Sequence, residues 1–379
     1  MKKTILLFIL ISIFLPAALF SQTKKPIRIG VFADLTGATS SFGIATRNGI
    51  VLAADEINAA GGIDGRKLEL FIEDDQGRPE MAKTVVQKLI DVDKVEVILG
   101  EVASTNSLAA APVAQEARIP MITPASTNPK VTEVGNFIFR TCFIDPLQGE
   151  SMAKFAYHTL KLRRVAIFGD ANSDYSKRLQ NSFGETFTKL GGKIVAKESY
   201  AQFNDDFKSQ LVKIRRSKPD AIYLPGYYGQ TGQIAKLARQ MKMQMPLLGG
   251  DGWDSPELWK LGGAALDNAY ITNHYADDNP AANVQEFVTK YQSKFNDQAD
   301  SLAALAYDSV YVLADAIRRA KTTDPVALRD AIAETKDLAG VTGRISRLTP
   351  ARSAVKPVVI LKLDPKKRQF AYHSTIEPN

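Results

Sequence analysis

The chain has 379 residues, 45% hydrophobic and 23% charged, with 48 Lys and Arg against 41 Asp and Glu. That length suits two domains, and that balance excludes both a disordered chain and a multi-span membrane protein. The net charge of +7 is not gathered into a basic cluster interleaved with aromatics, so nucleic acid is not the expected partner.

The first residues stand apart. Lys2 and Lys3 precede an almost wholly apolar run from Ile5 to Phe20, and Ser21 offers a small residue before Gln22. This is the layout of a secretory signal peptide over 1–21, with cleavage near Ser21 and a periplasmic destination. The run is short for a bilayer span, which takes ~20 residues. Removing it takes away two lysines and no acids, lowering the charge to +5. The single cysteine, Cys142, excludes an internal disulfide. It lies between Phe139 and Phe143, as a buried structural thiol would.

Strand and helix signals then alternate. Ile27, Ile29 and Val31 share one face of a strand, and a polar loop from Thr36 to Ser41 follows. Ile50, Ala53, Ala54 and Ile57 recur at helical spacing, ended by Gly61-Gly62. Leu68, Leu70 and Ile72 mark a strand, and Met81, Val85, Val86, Leu89 and Ile90 a helix. Val95–Leu99 reads as a strand buried on both faces, followed by a helix over 105–118 and a strand over 119–122. A second block repeats the alternation. Its predicted strands are 165–168, 193–196, 221–224 and 247–248. Its predicted helices are 175–190, a segment striped by Phe207, Leu211 and Ile214, and 229–242.

Two such blocks predict an α/β protein of two doubly wound parallel-sheet lobes. Helices over 281–296, 300–320 and 325–335 and strands over 358–363 and 369–373 close the chain. The helices are expected to return to the first lobe and the strands to the second. The resulting division is 27–144 plus 275–353 for lobe 1 and 145–274 plus 354–376 for lobe 2, joined by a multi-crossing hinge.

Ligands of open parallel sheets bind at the carboxyl ends of the strands. In the first block those ends carry Gly100 to Thr105 and the loop Thr123 to Pro129. Ser104 opens a helix and suits either a helix cap or a carboxylate partner. In the second block they lead to Tyr175, to Tyr227-Tyr228 and to Asp251-Gly252-Trp253. Hydroxyls on one wall and aromatics with a carboxylate on the other describe a site for a zwitterion. The histidines His158, His274 and His373 are scattered. No Gly-x-Ser-x-Gly, phosphate loop or metal-ligand cluster accompanies them, so neither an enzyme nor a cofactor is expected.

The sequence resembles the Leu/Ile/Val-type substrate-binding proteins of ABC importers, of the type I periplasmic binding protein family. The segment Ala54-Asp55-Glu56-Ile57-Asn58-Ala59-Ala60-Gly61-Gly62-Ile63-Asp64-Gly65 carries the resemblance most specifically. Leu35-Thr36-Gly37, Glu73-Asp74-Asp75, Pro120 to Pro129 and Ala306-Tyr307-Asp308 add to it. The resemblance implies that Ser104 meets a ligand carboxylate and that Thr127 contacts the head group through hydroxyl and backbone. It implies that Ala125 offers its carbonyl to an ammonium, that Tyr175 and Tyr227 close over the ligand, and that Asp251 pairs with the ammonium. Asp251 stands where well-known members have the longer Glu. Phe42 stands where some have Tyr beside the side-chain pocket. Gly77 and Ala103 stand in the regions of a cysteine pair, which leaves Ala103 at the pocket wall. The resemblance further implies a monomer that hands a small amino acid to an ABC-type membrane permease. Urea, short amides, aromatic acids and a sensor role remain the alternatives.

Overall fold

The structure is a computed structural model describing residues 24–201 and 206–377. The expected signal peptide lies outside the described residues. Among them, no helix is long and apolar enough to cross a membrane.

The first part of the chain runs β1 (Ile27–Ala33), α1 (Ser40–Ala59), β2 (Leu68–Asp74), α2 (Pro79–Asp91), β3 (Val97–Leu99), α3 (Ser104–Glu116), β4 (Met121–Thr123), α4 (Lys130–Glu133) and β5 (Ile138–Arg140). The strands form one all-parallel sheet in the order β2-β1-β3-β4-β5. The whole of β3, β4 and β5 is buried, because helices cover both faces. The stripe predicted for α1 is the buried one, with Ile50, Ala53, Ala54 and Ile57 all inside.

The second part runs α5 (Asp145–Lys154), β6 (Arg164–Asp170), α6 (Asp174–Lys189), β7 (Lys193–Tyr200), α7 (Lys208–Arg216), β8 (Ala221–Tyr223), α8 (Tyr228–Gln240), β9 (Leu247–Gly249), α9 (Pro256–Gly262) and β10 (Ala269–Asn273). After it come α10 (Ala282–Phe295), α11 (Ser301–Ala320), α12 (Pro325–Ala333), the hairpin β11 (Lys336–Gly340) and β12 (Gly343–Arg347), then β13 (Val358–Asp364) and β14 (Gln369–Ile376). The second sheet has the order β14-β13-β10-β9-β8-β6-β7. It is parallel except at one edge, where β13 runs antiparallel to β10 and β14 antiparallel to β13. Two parallel-sheet α/β lobes are thus the architecture, with an antiparallel edge that the sequence pattern did not reveal.

Helix α11 packs along α1 on the first sheet. The crossing is tight: a Cβ at Gly49 of α1 would lie 2.2 Å from the carbonyl oxygen of Ala303. The chain therefore crosses between the lobes after β5, after β10 and between β12 and β13. Arg140 at the end of β5 bridges to Ser353, which sets the first and third crossings side by side.

Strand order reverses beside β1 in the first sheet and beside β6 in the second, and each reversal opens a crevice at the carboxyl ends. The two crevices face each other.

Candidate ligand-binding site

The lobes meet directly at this gap. Ser41 Oγ and Ser255 Oγ share a hydrogen bond of 2.8 Å, and the Tyr228 hydroxyl donates to the Ala38 carbonyl at 3.2 Å. Asn128 Nδ2 donates to the Asp174 carbonyl at 2.9 Å. Phe42 of α1 meets the edges of Tyr227 and Tyr228 with centroids 5.7 and 4.9 Å away. The cleft is closed.

Between these contacts lies a small pocket, nearly filled in the closed form, lined by Phe42, Val102, Ala125, Thr127, Tyr175, Tyr227, Asp251, Gly252 and Leu302. Six of the eight residues expected from the sequence therefore share one wall or another of it. Ala103 and Ser104 do not line it, and Val102 holds their side of the wall. The N-cap position of α3 is held by Ala103, so Ser104 is the first residue of the helix and not its cap. The Ser104 hydroxyl instead accepts the Asn128 amide at 3.2 Å, tying the start of α3 to the loop that carries Ala125 and Thr127.

That loop is held from below. Arg140 is fully buried, and its guanidinium donates to the carbonyls of Ser126 (2.7 Å), Asn128 (2.7 Å) and Pro129 (3.2 Å) and to the Thr132 hydroxyl (3.2 Å). A planar fork with fixed donors suits this task better than a flexible ammonium. The peptide groups of the loop are thereby pinned while the Thr127 hydroxyl keeps its hydrogen bonds for others.

The facing wall centres on Asp251, which is 5% exposed. Its Oδ1 accepts the Tyr175 hydroxyl at 2.7 Å and Gln148 Nε2 at 2.7 Å. Its Oδ2 lies 3.0 Å from His274 Nε2. A carboxylate only accepts, so His274 carries its proton on Nε2. Burial pushes the His274 imidazole below its ordinary value, against its hydrogen bond to Asp251, and its ring stacks on Phe143 with centroids 3.6 Å apart. Three neutral donors thus orient Asp251 and leave a lone pair of Oδ2 for a fourth. Tyr175 also accepts the Gly252 amide at 3.1 Å and stacks on Tyr227 with rings 5.2 Å apart. Gly252 has no room for more, because a Cβ there would lie 2.8 Å from the Gly226 carbonyl oxygen and 2.9 Å from the Tyr227 ring.

Sequence reasoning missed Gln148, His274, Val102 and Leu302. His274 is one of three histidines scattered along the sequence, yet it follows β10 directly and supports Asp251. Leu302 follows the Asp300 cap of α11, and only the return of that helix to the first lobe brings it to the cavity. Cys142 is fully buried, and burial pushes its thiol up to about 12, so it is the inert thiol expected. Among the described residues no group of His, Cys, Asp and Glu is arranged to hold a metal ion.

Residues 26–369 match the family model described as periplasmic binding protein. The chain belongs to the periplasmic binding protein family. A Leu/Ile/Val-binding protein homolog of Brucella melitensis is 31% identical over 81% of this chain and 83% of its own. The crystal structure of a leucine binding protein from Thermotoga maritima has a TM-score of 0.87 at 38% identity, covering 93% of this chain and 99% of that one. A solute binding protein of an ABC transporter from Rhodopseudomonas palustris, in complex with 3,4-dihydroxybenzoic acid, has a TM-score of 0.84 at 26% identity, covering 93% and 97%. Like other periplasmic binding proteins, this chain is a substrate binder of the ABC-transporter kind and not an enzyme.

Proposed function

We propose that this periplasmic binding protein captures a small aliphatic L-amino acid, of the branched-chain kind, and delivers it as a monomer to an ABC-type membrane permease. Residues 1–21 would export it. The observation that carries this reading is the placement of the Asp251 carboxylate opposite Ala125 and Thr127 in one small, otherwise apolar cavity. The ligand ammonium takes the remaining lone pair of Asp251 and the Ala125 carbonyl. Its carboxylate takes the Thr127 hydroxyl. Its side chain packs on Phe42, Val102 and Leu302.

Charge-assisted bonds in a closed, dry cleft contribute about 1.5–3 kcal/mol each, and a micromolar Kd needs about 8 kcal/mol. A few such bonds with apolar burial reach that value. The open form would present the first lobe to the ligand, and closure would bring Tyr175, Tyr227 and Asp251 over it. The Brucella and Thermotoga relatives, named for Leu/Ile/Val and leucine, support the same class.

An aromatic carboxylate is the second reading. The stacked Tyr175–Tyr227 pair and the dihydroxybenzoic acid in the Rhodopseudomonas relative favour it. Asp251 opposes it, since such a ligand brings no cation to a buried carboxylate. A thermal-shift panel of L-amino acids, short amides, urea and benzoic acids decides between them. The largest shift is expected with leucine, isoleucine or valine; a shift confined to benzoic acids or amides overturns the proposal.

A further inference from the structure

The turn that carries Asp251 into the cleft ends in a second acid, Asp254, whose backbone amide donates to the Asp251 carbonyl at 2.9 Å. Asp254 is 5% exposed and does not line the ligand pocket. Its Oδ2 accepts from Asn273 Nδ2 at 2.8 Å and from the Ser301 backbone amide at 2.9 Å. The first bond stays within the second sheet, where Asn273 ends β10. The second leaves it, since Ser301 opens α11, which packs along α1 on the first sheet.

The start of α11 is therefore held by two acids of different origin. Asp300, its N-cap, accepts the Ala303 amide at 2.8 Å and travels with the helix. The Ser301 amide depends on an acceptor from the other side of the cleft. Between these two amides sits Leu302, which lines the ligand pocket. Behind Asp254, Asn273 Oδ1 accepts the His274 amide at 2.8 Å, and His274 Nε2 meets Asp251 Oδ2 at 3.0 Å. The acid that faces the pocket and the acid that grips α11 thus share one turn and one pair of supports. A carboxylate at a helix N-terminus is favourable, and a buried amide without an acceptor is costly, so this bond favours the arrangement in which turn and helix stand together.

We propose that Asp254 is a positioning residue for specificity: by taking the Ser301 amide across the cleft on closure, it seats Leu302 against the ligand side chain and holds the cleft shut. The bond forms as the lobes close and breaks as they open, so it governs departure of the ligand more than arrival. Its effect on selectivity rests on the amino-acid reading of the pocket; its effect on closure does not.

The test uses leucine and alanine, which share a head group and differ in the alkyl group that reaches Leu302. Asp254→Ala should raise the leucine off-rate about tenfold, leave the on-rate within about twofold, and shrink the preference for leucine over alanine about fivefold. Asp254→Asn keeps an acceptor oxygen and should stay within about threefold of wild type in each. In wild type, hydrogen exchange at the Ser301 amide should slow when leucine is added, a readout that needs no variant to fold. An unchanged off-rate in Asp254→Ala, an equal loss for leucine and alanine, Asp254→Asn as impaired as Asp254→Ala, or a Ser301 amide equally protected with and without leucine each overturns the proposal. If 3,4-dihydroxybenzoic acid binds and leucine does not, the amino-acid reading fails and the selectivity claim with it. Slower Ser301 exchange with that acid then upholds the closing contact, and unchanged exchange overturns it.

Discussion

The Tyr175 hydroxyl donates to Asp251 Oδ1 at 2.7 Å while accepting the Gly252 amide at 3.1 Å. One side chain thus fixes both the acidic group of the second lobe and the turn that carries it. Tyr175→Phe removes both bonds without changing the ring stack. Leucine affinity should fall about tenfold, in keeping with ~1–1.5 kcal/mol for a lost buried bond. Calorimetric titration checks this, and an unchanged Kd would show that Asp251 needs no such support.

Asp251 should govern selectivity as well as affinity. Asp251→Ala removes the ammonium partner and leaves the carboxylate contacts on the other lobe. Leucine should weaken by about a hundredfold, while 4-methylpentanoate, which lacks the ammonium, should change little. An equal loss for both ligands would place Asp251 in folding rather than recognition. Trp253, fully buried two residues away with its indole N–H on the Leu224 carbonyl, gives a fluorescence readout for the same titrations.

Arg140 should matter without touching the ligand. Arg140→Met strands the carbonyls of Ser126, Asn128 and Pro129, and destabilisation of about 3 kcal/mol is expected, read as a lower Tm. At a temperature where the variant is folded, all ligands should weaken in parallel, because the loop and not one contact is lost. Selective loss of one ligand class would contradict this.

Leu302 closes the apolar end of the cavity. Leu302→Ala should lower leucine affinity by roughly 1–3 kcal/mol and relax the preference toward larger side chains such as phenylalanine. Competition binding between the two amino acids measures the change.

A stability prediction concerns Asp75, which is buried at the end of β2. Burial first, then the neighbouring Asp34 and Asp74 carboxylates, push it up to about 7 against the hydrogen bond of the Gly77 amide. A folded-state value above the unfolded one means the native state holds the extra proton. The stabilisation is full below the unfolded value near 3.9 and is lost as pH rises toward about 7. Glu101, raised by burial and then by Asp75 and Asp34, acts with the same sign. The Tm should therefore fall between pH 5 and pH 7.5, and Asp75→Asn should flatten that slope. An unaltered slope would remove Asp75 from the account of pH dependence.

Much of this arrangement was legible in the chain. The helical spacing of Ile50, Ala53, Ala54 and Ile57 and the short apolar strands predicted two α/β lobes. Reading the residues after each strand led to the Thr123–Pro129 loop, Tyr175, Tyr227 and Asp251, and within that loop the family resemblance pointed to Ala125 and Thr127. What escaped was decided by tertiary structure. Strand β10 ends in Thr272 and Asn273, polar residues that break an apolar run but are fully buried here. With β10 unseen, His274 had no strand end to mark it. Gln148 reaches Asp251 across 103 residues of chain, a separation that no local pattern encodes. Ser104 fits the spacing of both a cap and a ligand group, and only the Asn128 amide shows where its hydroxyl turns.

The zwitterion site itself is tested most directly by titrating the mature protein with L-leucine and 4-methylpentanoate side by side. The two share a side chain and a carboxylate and differ in the ammonium. Leucine is expected to bind at least about a hundredfold more tightly, reflecting a buried charge pair lost in the analogue. Equal affinity for the two, or binding of neither beside tight binding of a benzoic acid, would contradict the assignment of Asp251 and the class of ligand built on it.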